Sequence, residues 1–188
     1  MKSVRAFIAV NIDEALREKI VAFVSGLTLS AVKWVRAENL HLTLKFLADI
    51  SESETAKVVD TLNNTLPESK AFDITLNGIG AFPNERRPKV IWVGITNADG
   101  LVKLQGTIED SLSEAGFKRE ERDFSPHLTI GRVKTTDGLS DFSRQTQKLK
   151  DAVFGDMTVD TVYLMKSELF PAGPKYSELK SFKLQKQD

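Results

Sequence analysis

Two histidines occur in the 188 residues, and both sit in the same short spelling. The first is His41-Leu42-Thr43-Leu44, inside the stretch Asn39 to Leu47; the second is His127-Leu128-Thr129-Ile130, inside Ser125 to Val133. An unperturbed imidazole titrates near pH ~6.5, so it can give or take a proton at neutral pH. A threonine hydroxyl beside it can donate a hydrogen bond to an oxygen that is gaining charge. Two such pairs are the equipment for moving protons on and off oxygen. A single strand histidine is ordinarily a hydrogen-bonded structural residue. Duplication of the whole spelling, with no histidine elsewhere, favours chemistry.

The spelling needs strands to work. Successive side chains of a strand point to opposite faces, so His41 and Thr43 share one face while Leu42 and Leu44 share the other. The same parity puts His127 with Thr129, and Leu128 with Ile130. Two such strands lying side by side would turn both imidazoles and both hydroxyls into one space. Lys45 has the parity of His41 and Thr43 and is expected in that space. Arg132 has the wrong parity, five residues beyond His127, but a bulge at Gly131 would swing it round. Phe7 and Trp92 lie on equivalent short strands in the two halves. They are expected either to pack or to stack a base. Arg86, Arg87 and Lys89 read as a solvated loop that could follow a polyanion backbone.

The chain carries 26 lysines and arginines against 26 aspartates and glutamates, so no global charge steers it to nucleic acid or an anionic membrane. It has no cysteine, which excludes disulfides, thiol nucleophiles and thiolate metal sites. Neither His-x-x-x-His nor a His-Glu pairing is present, so no metal ligand set is expected. No apolar run approaches the roughly 18 residues of a membrane helix. Cytoplasmic residence and no membrane partner are therefore expected.

The element order repeats. A strand at Ala6 to Val10 precedes a helix carrying Leu16, Ile20 and Phe23, then the first His strand. A capping box of Ser51 and Glu54 opens a second helix, and Phe72 to Ile79 is a strand. Val90 to Val93 starts the order again. A helix with Leu101, Leu104, Ile108 and Leu112 follows, then the second His strand, a sparser helix over 140–152, and a strand at Val159 to Met165. A last extended segment covers Tyr176 to Leu184. The short strands at Phe7 and Val90 are 83 residues apart, the histidines 86, and the Phe82-Pro83 and Phe170-Pro171 pairs 88. A drifting offset of this kind is the trace of duplication with loop insertions. The expected fold is one α+β domain over 1–188, with halves of roughly 1–87 and 88–188 forming two related lobes around a cleft.

These residues resemble a known family. Arg5 to Val10, Asn39 to Leu47, Val90 to Gly94 and Phe124 to Arg132 are similar to the matching segments of the 2H phosphoesterase superfamily. Within it the likeness is to the RNA 2′,3′-cyclic phosphodiesterases, also called the 2′-5′ RNA ligase or LigT-like family. Its first motif usually ends in Phe-Leu-Gly; here Ala48 takes the glycine place, which reads as a backbone variation. The resemblance implies a bilobal, pseudo-symmetric α+β fold whose antiparallel sheets line a central cleft, with helices outside. It implies opening of a 2′,3′-cyclic phosphate to a 2′-phosphomonoester without metal or other cofactor. His41 would be the proton donor, His127 the proton acceptor, and Thr43 and Thr129 donors to the phosphate. Arg132 is also carried by the family motif and would bind substrate. The partner would be RNA or a nucleotide with a cyclic phosphate end, tRNA halves among the candidates, acted on by a monomer. The alternatives are 2′-5′ ligation or 2′-5′ phosphodiester cleavage at the same site, or a non-catalytic RNA- or nucleotide-binding module.

Overall fold

The computed structural model describes residues 3–27, 29–135, 142, 146 and 149–186. Among them the chain forms the strands β1 (Ser3–Asn11), β2 (Val32–Trp34), β3 (His41–Ser51), β4 (Phe72–Phe82), β5 (Val90–Thr96), β6 (His127–Val133), β7 (Val153–Val159), β8 (Thr161–Phe170) and β9 (Gly173–Lys183). The helices are α1 (Glu14–Ser25), α2 (Glu52–Thr65) and α3 (Asp99–Glu114). The fold is α+β: strands β3-β1-β8-β9 make one antiparallel sheet, and β2-β6-β5-β4-β7 make the other.

Each helix forms where its apolar period and its ends agree. The Ser51 hydroxyl accepts from the Glu54 N–H while the Glu54 carboxylate accepts from the Ser51 N–H, so the capping box starts α2 as the spelling requires. Leu101, Leu104, Ile108 and Leu112 bury one face of α3. Past its end Gly116 takes φ +91°, and the Phe117 N–H donates to the Leu112 carbonyl, which closes the helix. Asp13 precedes α1 but makes no side-chain cap.

One apolar core joins both sheets and all three helices. Ile8, Val10, Leu42 and Leu44 enter it from the first sheet, and Ile91, Val93, Leu128 and Ile130 from the second. Phe7 and Ala9 are just as buried but lie outside that cluster, on the opposite face of β1. Each sheet therefore has a helix-covered core face and a second face that carries the histidines.

The halves are not the lobes. In β1, β3 and β4 of the first half, β4 leaves its siblings and pairs with β5. In the second half β8 pairs with β1. The fourth strand of each half has crossed into the other sheet, and the short β2 also lies in the second sheet, paired with β6. A division near residue 87 therefore cuts through the second sheet. The two strand orders still correspond, β3-β1-β8-β9 with β6-β5-β4-β7, so the expected pseudo-symmetry holds at the level of the strands.

The expected strand at Val159 to Met165 is two strands that meet at Asp160, β7 and β8. Gly155, at φ +140°, interrupts the alternation of β7 and hides its period. Most of the expected helix over 140–152 lies outside the described residues. No helix among the described residues is long and apolar enough to cross a membrane.

Candidate active site

The two motif strands are built alike. His41, Leu42 and Thr43 pair with Asn11, Val10 and Ala9; then Leu44 is skipped and Lys45 pairs with Ile8. His127, Leu128 and Thr129 pair with Gly94, Val93 and Trp92; then Ile130 is skipped and Gly131 pairs with Ile91. Each motif thus carries a bulge at the fourth residue. A bulge puts two successive side chains on one face and reverses the parity beyond it.

This reversal decides three expectations. Arg132 returns to the face of His127 and Thr129, as expected, but the bulge lies at Ile130 and not at Gly131. Gly131 has no left-handed φ. Its need is for space: a Cβ there would stand 2.8 Å from both Trp34 and Val32 of β2. Lys45 is turned away from the histidines by the same device, contrary to expectation. It is 2% exposed, with Nζ 2.6 Å from Glu109 Oε1 on α3 and 2.8 Å from the Lys118 carbonyl. Its cleft-side place goes to Phe46, which is 61% exposed and stands where Arg132 stands in the second motif.

The backbone orients both imidazoles. His41 Nδ1 lies 2.7 Å from the Asn39 carbonyl, and His127 Nδ1 lies 2.7 Å from the Ser125 carbonyl. A carbonyl only accepts, so Nδ1 carries the proton on each ring. Each Nε2 is then the atom left for exchange, basic in the neutral ring and acidic in the imidazolium.

The ring environments differ. His41 packs against Phe7 at 4.8 Å and edge-on against Tyr176 at 5.2 Å. Burial lowers its pKa below 6.5, and the hydrogen bond to Asn39 opposes this in part. Phe7 is 3% exposed and supports this ring, so it offers no free face for a base. His127 meets Phe82 edge-on at 4.9 Å, and Phe82 meets Trp92 at 5.3 Å. Trp92 is half-buried, with its indole spread over Gly80, where a Cβ would collide with the ring.

Tyr176 joins the two half-sites. It touches Phe7 and His41 of the first sheet. Burial raises its phenol pKa, while the charges of Arg132 from the second sheet and Arg5 from the first pull it back. β3 and β6 also touch directly. The chain that pairs with Gly131 through Trp34 enters β3 seven residues later. Tyr176 escaped the sequence reading. It lies 135 residues from His41 on a mostly exposed strand, with no repeated spelling around it. No group of three or more carboxylate or imidazole side chains able to hold a metal occurs among the described residues.

The site can therefore offer two imidazole Nε2 atoms, two threonine hydroxyls and a guanidinium from two sheets that meet at β3 and β6. That set suits a phosphate diester. Comparison with known proteins agrees. The sequence profile of the 2′-5′ RNA ligase superfamily matches residues 14–169. A protein of Methanothermobacter thermautotrophicus named RNA 2′,3′-cyclic phosphodiesterase is 38% identical over 96% of this chain and 99% of its own. One of the same name from Methanocaldococcus jannaschii is 39% identical over 95% and 99%. The crystal structure of TT0787 of Thermus thermophilus superposes with TM-score 0.82 at 28% identity, covering 98% of this chain and all of the other. E. coli LigT complexed with 3′-AMP shares the fold, at TM-score 0.80 and 23% identity over 97% and 99%. With the profile spanning most of its length and relatives of this similarity covering nearly all of it, the chain belongs to the 2′-5′ RNA ligase superfamily.

Proposed function

We propose that the chain is an RNA 2′,3′-cyclic phosphodiesterase, opening the cyclic phosphate to a 2′-phosphomonoester. The observation that carries this is the matched pair of imidazoles, each held through Nδ1 by a backbone carbonyl and each followed on the same face by a threonine. The relatives named for this activity support it.

In this reading a water oxygen attacks phosphorus as His127 Nε2 takes its proton. The bond from phosphorus to the 3′ oxygen breaks as His41 Nε2–H protonates that oxygen. Thr43 and Thr129 donate to the non-bridging oxygens, and Arg132 balances their charge. Burial makes the His41 imidazolium a stronger acid, and the anionic phosphate beside it keeps it protonated until it is needed. No step calls for a metal. The superfamily's name points to a second use of the same atoms: a 5′-hydroxyl attacking in place of water, with the 3′ oxygen leaving, would give 2′-5′ joining, and the reverse step, the 3′-hydroxyl attacking a 2′-5′ diester and expelling its 5′ oxygen, would give 2′-5′ cleavage.

The test is an oligoribonucleotide ending in a 2′,3′-cyclic phosphate, incubated with excess chelator, with the product read by phosphorus NMR. A 2′-phosphate is expected. His41→Ala and His127→Ala should each lower kcat by about 100-fold or more, the usual worth of a general acid or base. A 3′-phosphate would reverse the assignment of the leaving oxygen, and inactivity with chelator would replace the metal-free scheme.

A further inference from the structure

A groove of about 900 Å³ opens beside the second half-site, lined by Asn77, Gly80, Glu85, Arg86, Trp92 and Lys150 among others. We propose that it holds the single-stranded RNA lying 5′ of the reacting nucleotide, so that the protein prefers oligonucleotide ends to mononucleotides. This rests on the reading above, because that reading fixes which end of the chain sits at the histidines.

Position comes first. Trp92 pairs with Thr129 on the neighbouring strand, and both occupy the histidine-bearing face. The groove therefore begins one strand spacing from the phosphate donor, about 5 Å. The volume lies at the upper end of the ~300–1,000 Å³ usual for small-molecule sites. A substrate chain that leaves Thr129 across β5 enters this groove.

Chemistry comes second. One face of the Trp92 indole lies on the bare backbone of Gly80, and the ring lines the groove. That is a stacking platform that accepts any base. Its Nε1–H is buried and meets no acceptor among the described residues, so the ring face is what the groove is offered. Two cations line the same groove as the ring. Arg86 rises from a loop that Asn84 Oδ1 orders by accepting the Arg86 and Arg87 N–H groups, each at 3.1 Å. Lys150 is fixed by its neighbours, since Gly78 N–H donates to Ala152 O at 2.8 Å and Ile79 N–H to Leu149 O at 3.2 Å. Against these stands Glu85, 3.7 Å from Lys150 and competing for it. A strand that stacks a base on Trp92 brings its phosphates into the groove that these two cations line.

Anisotropy of a labelled hexaribonucleotide 2′-phosphate, with nucleoside 2′-phosphate as competitor, tests the groove without turnover. The hexanucleotide is expected to bind at least 10-fold tighter than the nucleotide. Arg86→Ala/Lys150→Ala should remove most of that advantage and leave the nucleotide's affinity unchanged. The slope of log affinity against log salt should flatten by about 1.4, two single-strand phosphate contacts at ~0.7 each. Glu85→Gln should tighten the hexanucleotide alone. Equal binding of the two ligands, or a double variant that keeps the wild-type advantage, overturns the proposal. Failure of the enzymatic reading shows separately, as no turnover of a cyclic phosphate by a wild-type protein that still binds RNA in the groove.

Discussion

Each histidine is aimed by a main-chain carbonyl two residues before it, a hold that is itself independent of any neighbouring side chain's identity. Their burial is less even, and that has a consequence for stability. The folded pKa of His41 lies below the 6.5 it has when exposed. Above pH ~6.5 the ring is neutral in both states and costs nothing. As pH falls, the unfolded chain takes up the proton first, so stability drains away down to the folded pKa. His41→Asn should therefore lose less in Tm between pH 7 and pH 5 than the wild type, and parallel losses would refute this. Ala48 offers a second test. Its φ is +57°, in the left-handed region that costs an alanine roughly 1 kcal/mol or more. The residue is exposed, so Ala48→Gly loses no packing. Thermal melting should show stabilisation of about 0.5–1 kcal/mol, a rise in Tm of about 1–4 °C. The alanine in the family's glycine place is a strained position, more than a neutral variation.

Among the elements, β3 is tied hardest to its surroundings. Lys45, turned inward by the bulge, pairs with Glu109 of α3, and Glu109 also accepts the Glu120 N–H at 3.0 Å. One buried pair thus fastens the first motif to α3 and to the segment leading to the second. Lys45→Met alone leaves a buried carboxylate without its partner, at about 3–5 kcal/mol in urea denaturation. Lys45→Met/Glu109→Gln removes both charges and keeps an acceptor for Glu120, so most of that loss should return. A double variant no more stable than the single would show that the ion pair itself holds the fold. Parity alone reached His41, Thr43, His127 and Thr129, because each motif is regular up to its third residue. It failed at Lys45 because a bulge is a property of two strands in register. Nothing in Leu44-Lys45-Phe46 marks one. Arg132 came out on the right face through the wrong glycine: Gly131 looked like a hinge and is a clearance for Trp34. Tyr176 depends on the sheet curling over β8, which no local period encodes.

The whole molecule is bound by its exchanged strands. A fragment of 1–87 keeps β4 but lacks β5 to pair with it, and its β1 loses β8. A fragment of 88–188 has the reciprocal gaps. Neither is expected to melt cooperatively by circular dichroism, and mixing them should restore one transition. Cooperative melting of either alone would mean that a half is a folding unit. The repeated element order was legible as spacing, 83 to 88 residues, but spacing carries no information on which sheet the fourth strand of a half joins.

Two copies of one motif would, if identical, make a cleft that reads the same from either end. The fifth residue after each histidine breaks that equivalence: an exposed aromatic ring at Phe46, a guanidinium at Arg132. A ligand with a flat apolar moiety at one side and negative charge at the other then has a preferred heading. In the activity proposed above, the polarity of the bound strand, and with it the choice between two otherwise similar ribose oxygens, would be set by a pair of residues that perform no proton transfer.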